Sequence, residues 1–234
     1  MESYNSGLSR TDHFLLIFDC DGTLVDSEVL INKFFVDLVR EYNIPLTYEE
    51  AWKHFPGTSL RLCMDYVEEK FDFSFPNDFV VNYRSAQRVL FAENLQPIAG
   101  ARECLSELGT FQKCVASNGP YEIIEANLKT TGLSSYFNDA IFSAYRLNKW
   151  KPDPALFLEA ALRLDFQPTR CIVVEDSEAG IAAGLNAGMK VFSYQPSPSD
   201  QENHSPGQKE VTVFREMPVL PQLIREYIDQ TDNK

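Results

Sequence analysis

The sequence predicts an α/β protein, a doubly wound parallel sheet interrupted near its start by an all-helical insertion. A short apolar run ending in a carboxylate, FLLIFD at 14–19, has the length and composition of a buried strand. From residue 97 onward, short apolar runs alternate with helical periodicity, the pattern of βαβ units. Between these two regions, residues 28–96 carry only helical spacing.

The elements follow in order. Leu30, Phe34, Phe35, Leu38 and Val39 recur at helical spacing over 28–41, and further helices are expected at about 48–55, 58–71 and 77–94. The string PIAG at 97–100 punctuates the chain. A helix over 101–108 then leads to a strand over 111–116, and a helix over 121–130 to a short strand over 140–143. A helix opened by Pro154 runs to 164 and precedes a strand over 171–175. A last pair, helix 179–187 and strand 190–193, is followed by a polar stretch over 196–209, read as a surface loop, and an edge strand over 211–214. Right-handed crossovers between parallel strands place helices on both faces of the sheet. The expected domain map is core over 1–27, helical cap over 28–96 and core again over 97–234.

Composition narrows the function. The 234 residues suffice for one large domain or a core with an insertion. A net charge of −13, from 21 basic and 34 acidic side chains, argues against a sequence-independent grip on nucleic acid or anionic lipid. No apolar run has the length of a membrane helix. The N-terminal string MESYNSGLSRTDH lacks a basic-then-apolar secretory pattern, so the cytoplasm is the expected compartment. Cys20, Cys63, Cys104, Cys114 and Cys171 are scattered, with no CxxC or Cys/His cluster, which indicates neither a disulfide framework nor a zinc site. Nothing in the sequence specifies an oligomeric state.

In an open parallel sheet, ligands bind outside the carboxyl ends of the strands. Four such ends or following loops carry polar residues: Asp19, Ser117, Lys151 and the pair Glu175 and Asp176. Each has a bland reading. Asp19 and Asp21 in a bare DxDG suit an Asx turn capping the helix that starts near Ser27. Ser117 and Asn118 suit a helix N-cap, Lys151 a surface charge, and Glu175 and Asp176 the dipole of a helix near Ala179. Their joint placement has no such reading.

The longer string DCDGTLVDS at 19–27 resembles the signature of the haloacid-dehalogenase superfamily. SNGP at 117–120, KPDP at 151–154 and VVEDS at 173–177 resemble its later motifs, in order. The resemblance implies a Rossmann-like core in which Asp19 is the nucleophile and Asp21 the general acid/base. Ser117 and Asn118 would hold a phosphoryl oxygen at a helix N-terminus, and Lys151 would neutralise charge on the nucleophile and the transferring group. A magnesium ion would be bound by Asp19, the Asp21 main-chain carbonyl and Asp176, with Glu175 a further ligand or acting through water. Dehalogenases lack the second aspartate, so Asp21 points to phosphoryl transfer.

The helical insert resembles the superfamily's type-one cap. The strings WKPDPALF at 150–157 and AGxxAGM at 183–189 are similar to the 6-phosphogluconate phosphatase and β-phosphoglucomutase-like group. The implied partner is a small phosphorylated metabolite, with a sugar phosphate such as 6-phosphogluconate first. A phosphosugar mutase is the alternative. Mutases place a histidine twelve residues after the nucleophile, where this chain has Ile31, and a cap arginine where it has Leu60. A non-catalytic phosphate-sensing module is the remote alternative, against which Asp19, Asp21, Lys151 and Asp176 are all intact. His54, Arg61, Arg84 and Arg88 lie in the cap, where exposed helix faces account for each and contact with a substrate is the other reading.

Overall fold

The computed structural model describes residues 13–55, 60–196 and 211–232. The chain divides into two compact units, one built from 26–96 and the other from the residues on either side of it.

The outer segments form a six-stranded sheet in which every pairing is parallel. Its strands are β1 (Leu15–Phe18), β2 (Gln112–Ser117), β3 (Ile141–Ser143), β4 (Cys171–Glu175), β5 (Lys190–Tyr194) and β6 (Val211–Phe214), in the order β3-β2-β1-β4-β5-β6. β1 and β4 are buried at every position, as runs of Leu, Ile, Phe and Val covered on both faces must be. Leu15 and Ile17 join Val173, Cys114, Leu156 and Phe157 in one apolar core. The five cysteines are all buried, and none forms a disulfide.

Among its described residues the insert unit has helices as its regular elements: α1 (Ser27–Glu41), α2 (Tyr48–His54), α3 (Leu60–Phe71) and α4 (Phe79–Asn94). Its first and last residues are bonded, Asp26 N–H to Gln96 O at 2.9 Å. Phe35 sits at the centre of an aromatic core with Phe55, Phe75, Phe79 and Tyr83. Thr47 starts α2 by accepting the Glu50 N–H at 3.2 Å. Of the string FPGTSL over 55–60, residues 56–59 lie outside the described residues, as do 197–209 of the expected surface loop.

The core unit adds α5 (Ala101–Glu107), α6 (Tyr121–Thr130), α7 (Ala144–Leu147), α8 (Ala155–Arg163), α9 (Glu178–Asn186) and α10 (Leu220–Asp232). Two of these lie outside the sequence reading. The four-residue α7 is too short to show periodicity. α10 is a full amphipathic helix that buries Leu220, Ile224 and Ile228, spaced four apart, and Pro221 in its first turn disguises it as punctuation. Tyr227 of α10 packs edge-on against Phe14 and Phe192. Among the described residues no helix is long and apolar enough to cross a membrane.

Candidate active site

The strand order reverses its direction of growth between β1 and β4, and a crevice opens outside the carboxyl ends of the strands at such a point. Asp19 follows β1, while Glu175 ends β4 and Asp176 follows it. Ser117 is the last residue of β2, and Lys151 lies in the turn between α7 and α8.

Lys151 ties the strand ends together. Its Nζ donates to Glu175 Oε1 at 2.6 Å and to Asp19 Oδ1. All three residues are buried, Glu175 completely. The other Glu175 oxygen, Oε2, accepts the N–H groups of Asp176 (2.9 Å) and Ser177 (2.8 Å) and the Ser177 hydroxyl (2.9 Å). Ser177 also caps α9, accepting the Gly180 N–H at 3.1 Å. This carboxylate therefore sits against the N-terminus of α9, where the helix dipole favours negative charge. A Cβ at residue 180 would lie 1.8 Å from Glu175 Oε1, so glycine there is what admits the carboxylate.

The loop after β1 is shaped for Asp176. Leu24 N–H and Val25 N–H both donate to Cys20 O, and Gly22 N–H donates to Val25 O, folding residues 20–25 into a tight turn. Gly22 takes φ +80, and a Cβ there would stand 2.2 Å from Asp176 Oδ2. Thr23, fully buried, donates its hydroxyl to Asp176 Oδ1 at 2.7 Å. Asp19 N–H donates to Val174 O, continuing the sheet to the edge of the site.

Ser117 Oγ accepts the Gly119 N–H at 3.0 Å, and Ser143 from β3 donates to Gly119 O at 2.6 Å. Asn118 uses its side-chain carbonyl to accept the Lys151 N–H at 2.9 Å, which fixes the lysine turn against the β2 loop. Asp153, two residues before the first residue of α8, accepts the Ala155 N–H at 2.9 Å. That bond, with help from Lys149, holds the Asp153 carboxyl below its ordinary range.

Electrostatics follow from this crowding. Burial works against the Lys151 ammonium, but the Asp19 and Glu175 carboxylates outweigh it and hold the lysine protonated beyond its usual range. Burial also pushes the Asp19 carboxyl well above its ordinary value, with Glu175 and Asp21 adding to the effect and Lys151 opposing it. Burial, with Asp21 and Asp19, likewise raises the Cys20 thiol and keeps it un-ionised. Carboxylate oxygens of Asp19, Glu175 and Asp176 lie within 4.8 Å of one another. One ammonium does not balance that many carboxylates, and hard oxygen donors at this spacing suit a hard divalent cation such as magnesium.

The structure thus brings Asp19, Lys151, Glu175 and Asp176 into direct contact or near it, with Asp21 on the same loop and Ser117 and Asn118 on the adjoining one. Thr23, Ser143, Ser177 and Gly180 complete the site, and the sequence reading assigned none of them a role in it. Thr23, inside the DCDGTLVDS string, and Ser177, inside VVEDS, each had a local signal. Within the insert unit the four basic candidates lie on exposed surface. Arg61 pairs with Asp65 and Glu68, Arg84 Nη1 donates to Gln87 at 3.0 Å, and His54 stacks on Tyr66.

A family model described as haloacid dehalogenase-like hydrolase matches residues 16–194. The chain is 37% identical over 209 residues to the 6-phosphogluconate phosphatase of Escherichia coli K12, covering 89% of this chain and 93% of that one. A haloacid dehalogenase-like protein of unknown function from Agrobacterium tumefaciens C58 superposes with a TM-score of 0.79 at 30% identity, over 91% of this chain and 98% of that one. A HAD family hydrolase from Deinococcus radiodurans R1, solved with bound phosphate and sodium, gives 0.75 at 26% identity, over 93% and 97%.

Proposed function

The chain belongs to the haloacid dehalogenase-like hydrolases and is a phosphatase, and from that premise we propose that it hydrolyses a sugar phosphate through an aspartyl-phosphate on Asp19. The observation that carries this reading is the buried Lys151 bridging Asp19 to Glu175 at the β1/β4 crevice.

Asp19 attacks phosphorus and the bond from phosphorus to the sugar oxygen breaks, while Asp21 delivers a proton to that oxygen. Asp21 then takes a proton from water, which attacks phosphorus, releases inorganic phosphate and restores the Asp19 carboxylate. Lys151 offsets negative charge on the nucleophile and on the transferring group, in a buried site where that effect is large. The Ser117 oxygen accepts the Gly119 N–H, which leaves its own hydroxyl hydrogen for a phosphoryl oxygen near the start of α6. Asn118 supports this by holding the Lys151 turn.

Magnesium, held by Asp19, Asp176 and the Asp21 carbonyl, would draw off negative charge from the phosphoryl oxygens. Glu175 has one oxygen on Lys151 and the other on three donors, so it serves that ion through Lys151 and water. The substrate we propose is 6-phosphogluconate or a close sugar phosphate, on the 37% identity to the Escherichia coli enzyme of that name.

The test is a phosphate-release screen across sugar phosphates, nucleotides and acid phosphates, with magnesium or EDTA. Release from phosphorylated sugar acids and other sugar phosphates that needs magnesium supports the reading. Release indifferent to EDTA, or confined to nucleotides, overturns it.

A further inference from the structure

Ser143 ends β3 directly beside Ser117, the last residue of β2, in the parallel register of the two strands. Both serines are buried, each 2% exposed. Ser143 also stands at the N-cap of α7, with the extended backbone (φ −118°, ψ 132°) from which a serine oxygen ordinarily accepts a helix N–H. It makes no such capping bond. Its hydroxyl turns to the neighbouring strand end and donates to Gly119 O at 2.6 Å. A serine hydroxyl has one hydrogen, and this bond uses it. Residue type, position and backbone all suit a cap, yet the group is committed to the loop after β2.

The bond fixes Gly119 from one side. Ser143 holds its carbonyl, while its N–H donates to Ser117 Oγ at 3.0 Å. That N–H occupies one direction around the Ser117 oxygen and so decides where the Ser117 hydroxyl hydrogen points. A Cβ built on Gly119 would stand 3.4 Å from Ser117 Oγ and 3.9 Å from Asp21 Oδ2, so Gly119 lies against both groups. Asn118, the residue between the serine and the glycine, is tied separately to the Lys151 N–H. A turn of Gly119 therefore re-aims the Ser117 hydroxyl without releasing the lysine.

We propose that Ser143 is a positioning residue for phosphoryl transfer, aiming the Ser117 hydroxyl at the phosphoryl oxygen through Gly119. This rests on the role given to Ser117 in the proposed reaction. A donor stabilises developing charge fully only when it is oriented beforehand. A hydroxyl at the end of a buried strand supplies that orientation from a rigid element rather than from the loop itself.

A double-mutant cycle on the full chain tests the proposal, with magnesium and either 6-phosphogluconate or p-nitrophenyl phosphate. The two substrates share only the phosphoryl group, which is what Ser117 faces, so the same pattern is expected with both. Ser117→Ala should lower kcat/KM about a hundredfold, the scale of one lost donor. Ser143→Ala should lower it about threefold to tenfold, the scale of one neutral hydrogen bond. Placed in the Ser117→Ala background, Ser143→Ala should cost less than about twofold more, because no hydroxyl is left to aim. Ser143→Thr keeps the hydroxyl and should retain most of the parent's activity. A merely structural serine would cost as much in either background. Equal costs in the two backgrounds, parental activity in Ser143→Ala, or a Thr variant as slow as the Ala variant would each overturn this inference alone. Parental activity in a folded Ser117→Ala protein would overturn the proposed role of Ser117 and this inference with it.

Discussion

A Cβ on residue 180 would stand 1.8 Å from Oε1 of Glu175, the oxygen that accepts the Lys151 ammonium. Helix propensity alone favours Gly180→Ala by about 1 kcal/mol, but the buried carboxylate has nowhere to go. The substitution should displace Glu175, loosen Lys151 from Asp19 and lower kcat by about tenfold to a hundredfold, on the scale of one lost electrostatic contact. Steady-state kinetics on Gly180→Ala check this. Adding Glu175→Asp, which shortens the side chain, should recover part of the stability lost, as seen in thermal melts.

Thr23 reaches Asp176 across 153 residues of sequence. Thr23→Val keeps the shape and removes the hydroxyl, at a cost of about 1.5–3 kcal/mol for a bond to a charged group. With that hydrogen bond to Asp176 lost, the magnesium concentration giving half-maximal phosphate release should rise severalfold. An unchanged magnesium curve in a folded Thr23→Val protein would mean that Thr23 does not position the ion's ligand.

The raised carboxyl of Asp19 sets a pH dependence in the EDTA-treated protein. Burial is its main cause, so the folded form holds the proton more readily than the unfolded chain, whose value is near 3.8. The stability this contributes is fully present below 3.8 and is lost as pH rises through the elevated folded-state value. Asp19→Asn has no such loss. The parent should therefore melt progressively below Asp19→Asn as pH climbs from acid to neutral, and a gap that stays constant with pH would contradict the assignment.

The sequence placed the polar residues at strand ends because a parallel sheet leaves little choice. An apolar run buried on both faces must stop where its first carboxylate stands, as at Asp19 and Glu175. The parallel sheet and its helical flanks followed from the alternation of periods, whereas the order of the strands came from the structure. What the sequence withheld is contact across register. The acceptance of the Lys151 N–H by Asn118 and the room Gly180 makes for Glu175 depend on how loops after different strands meet. Gly180 looks like any small residue of a packed helix. α10 was legible in the spacing of Leu220, Ile224 and Ile228, and prolines at 218 and 221 hid it.

Hydrolysis and mutase action differ in what receives the phosphoryl group. A mutase must activate a sugar hydroxyl, and at position 31 the chain offers isoleucine, with no imidazole to take that proton. Asp21 can still activate water. Free phosphate should therefore appear in step with substrate loss, with no interconversion of 1- and 6-phosphosugars by phosphorus NMR. Isomerised sugar phosphate without matching phosphate release would make the mutase reading correct.

The central claim is that Asp19 carries the phosphoryl group. Rapid acid quench during turnover, followed by mass spectrometry of the peptide containing Asp19, tests it directly. The account predicts the added mass of one phosphoryl group on Asp19 in the parent. It predicts none in a folded Asp19→Asn protein, which should also release no phosphate. A phosphorylated residue elsewhere in the chain, or phosphate release by folded Asp19→Asn, would contradict it.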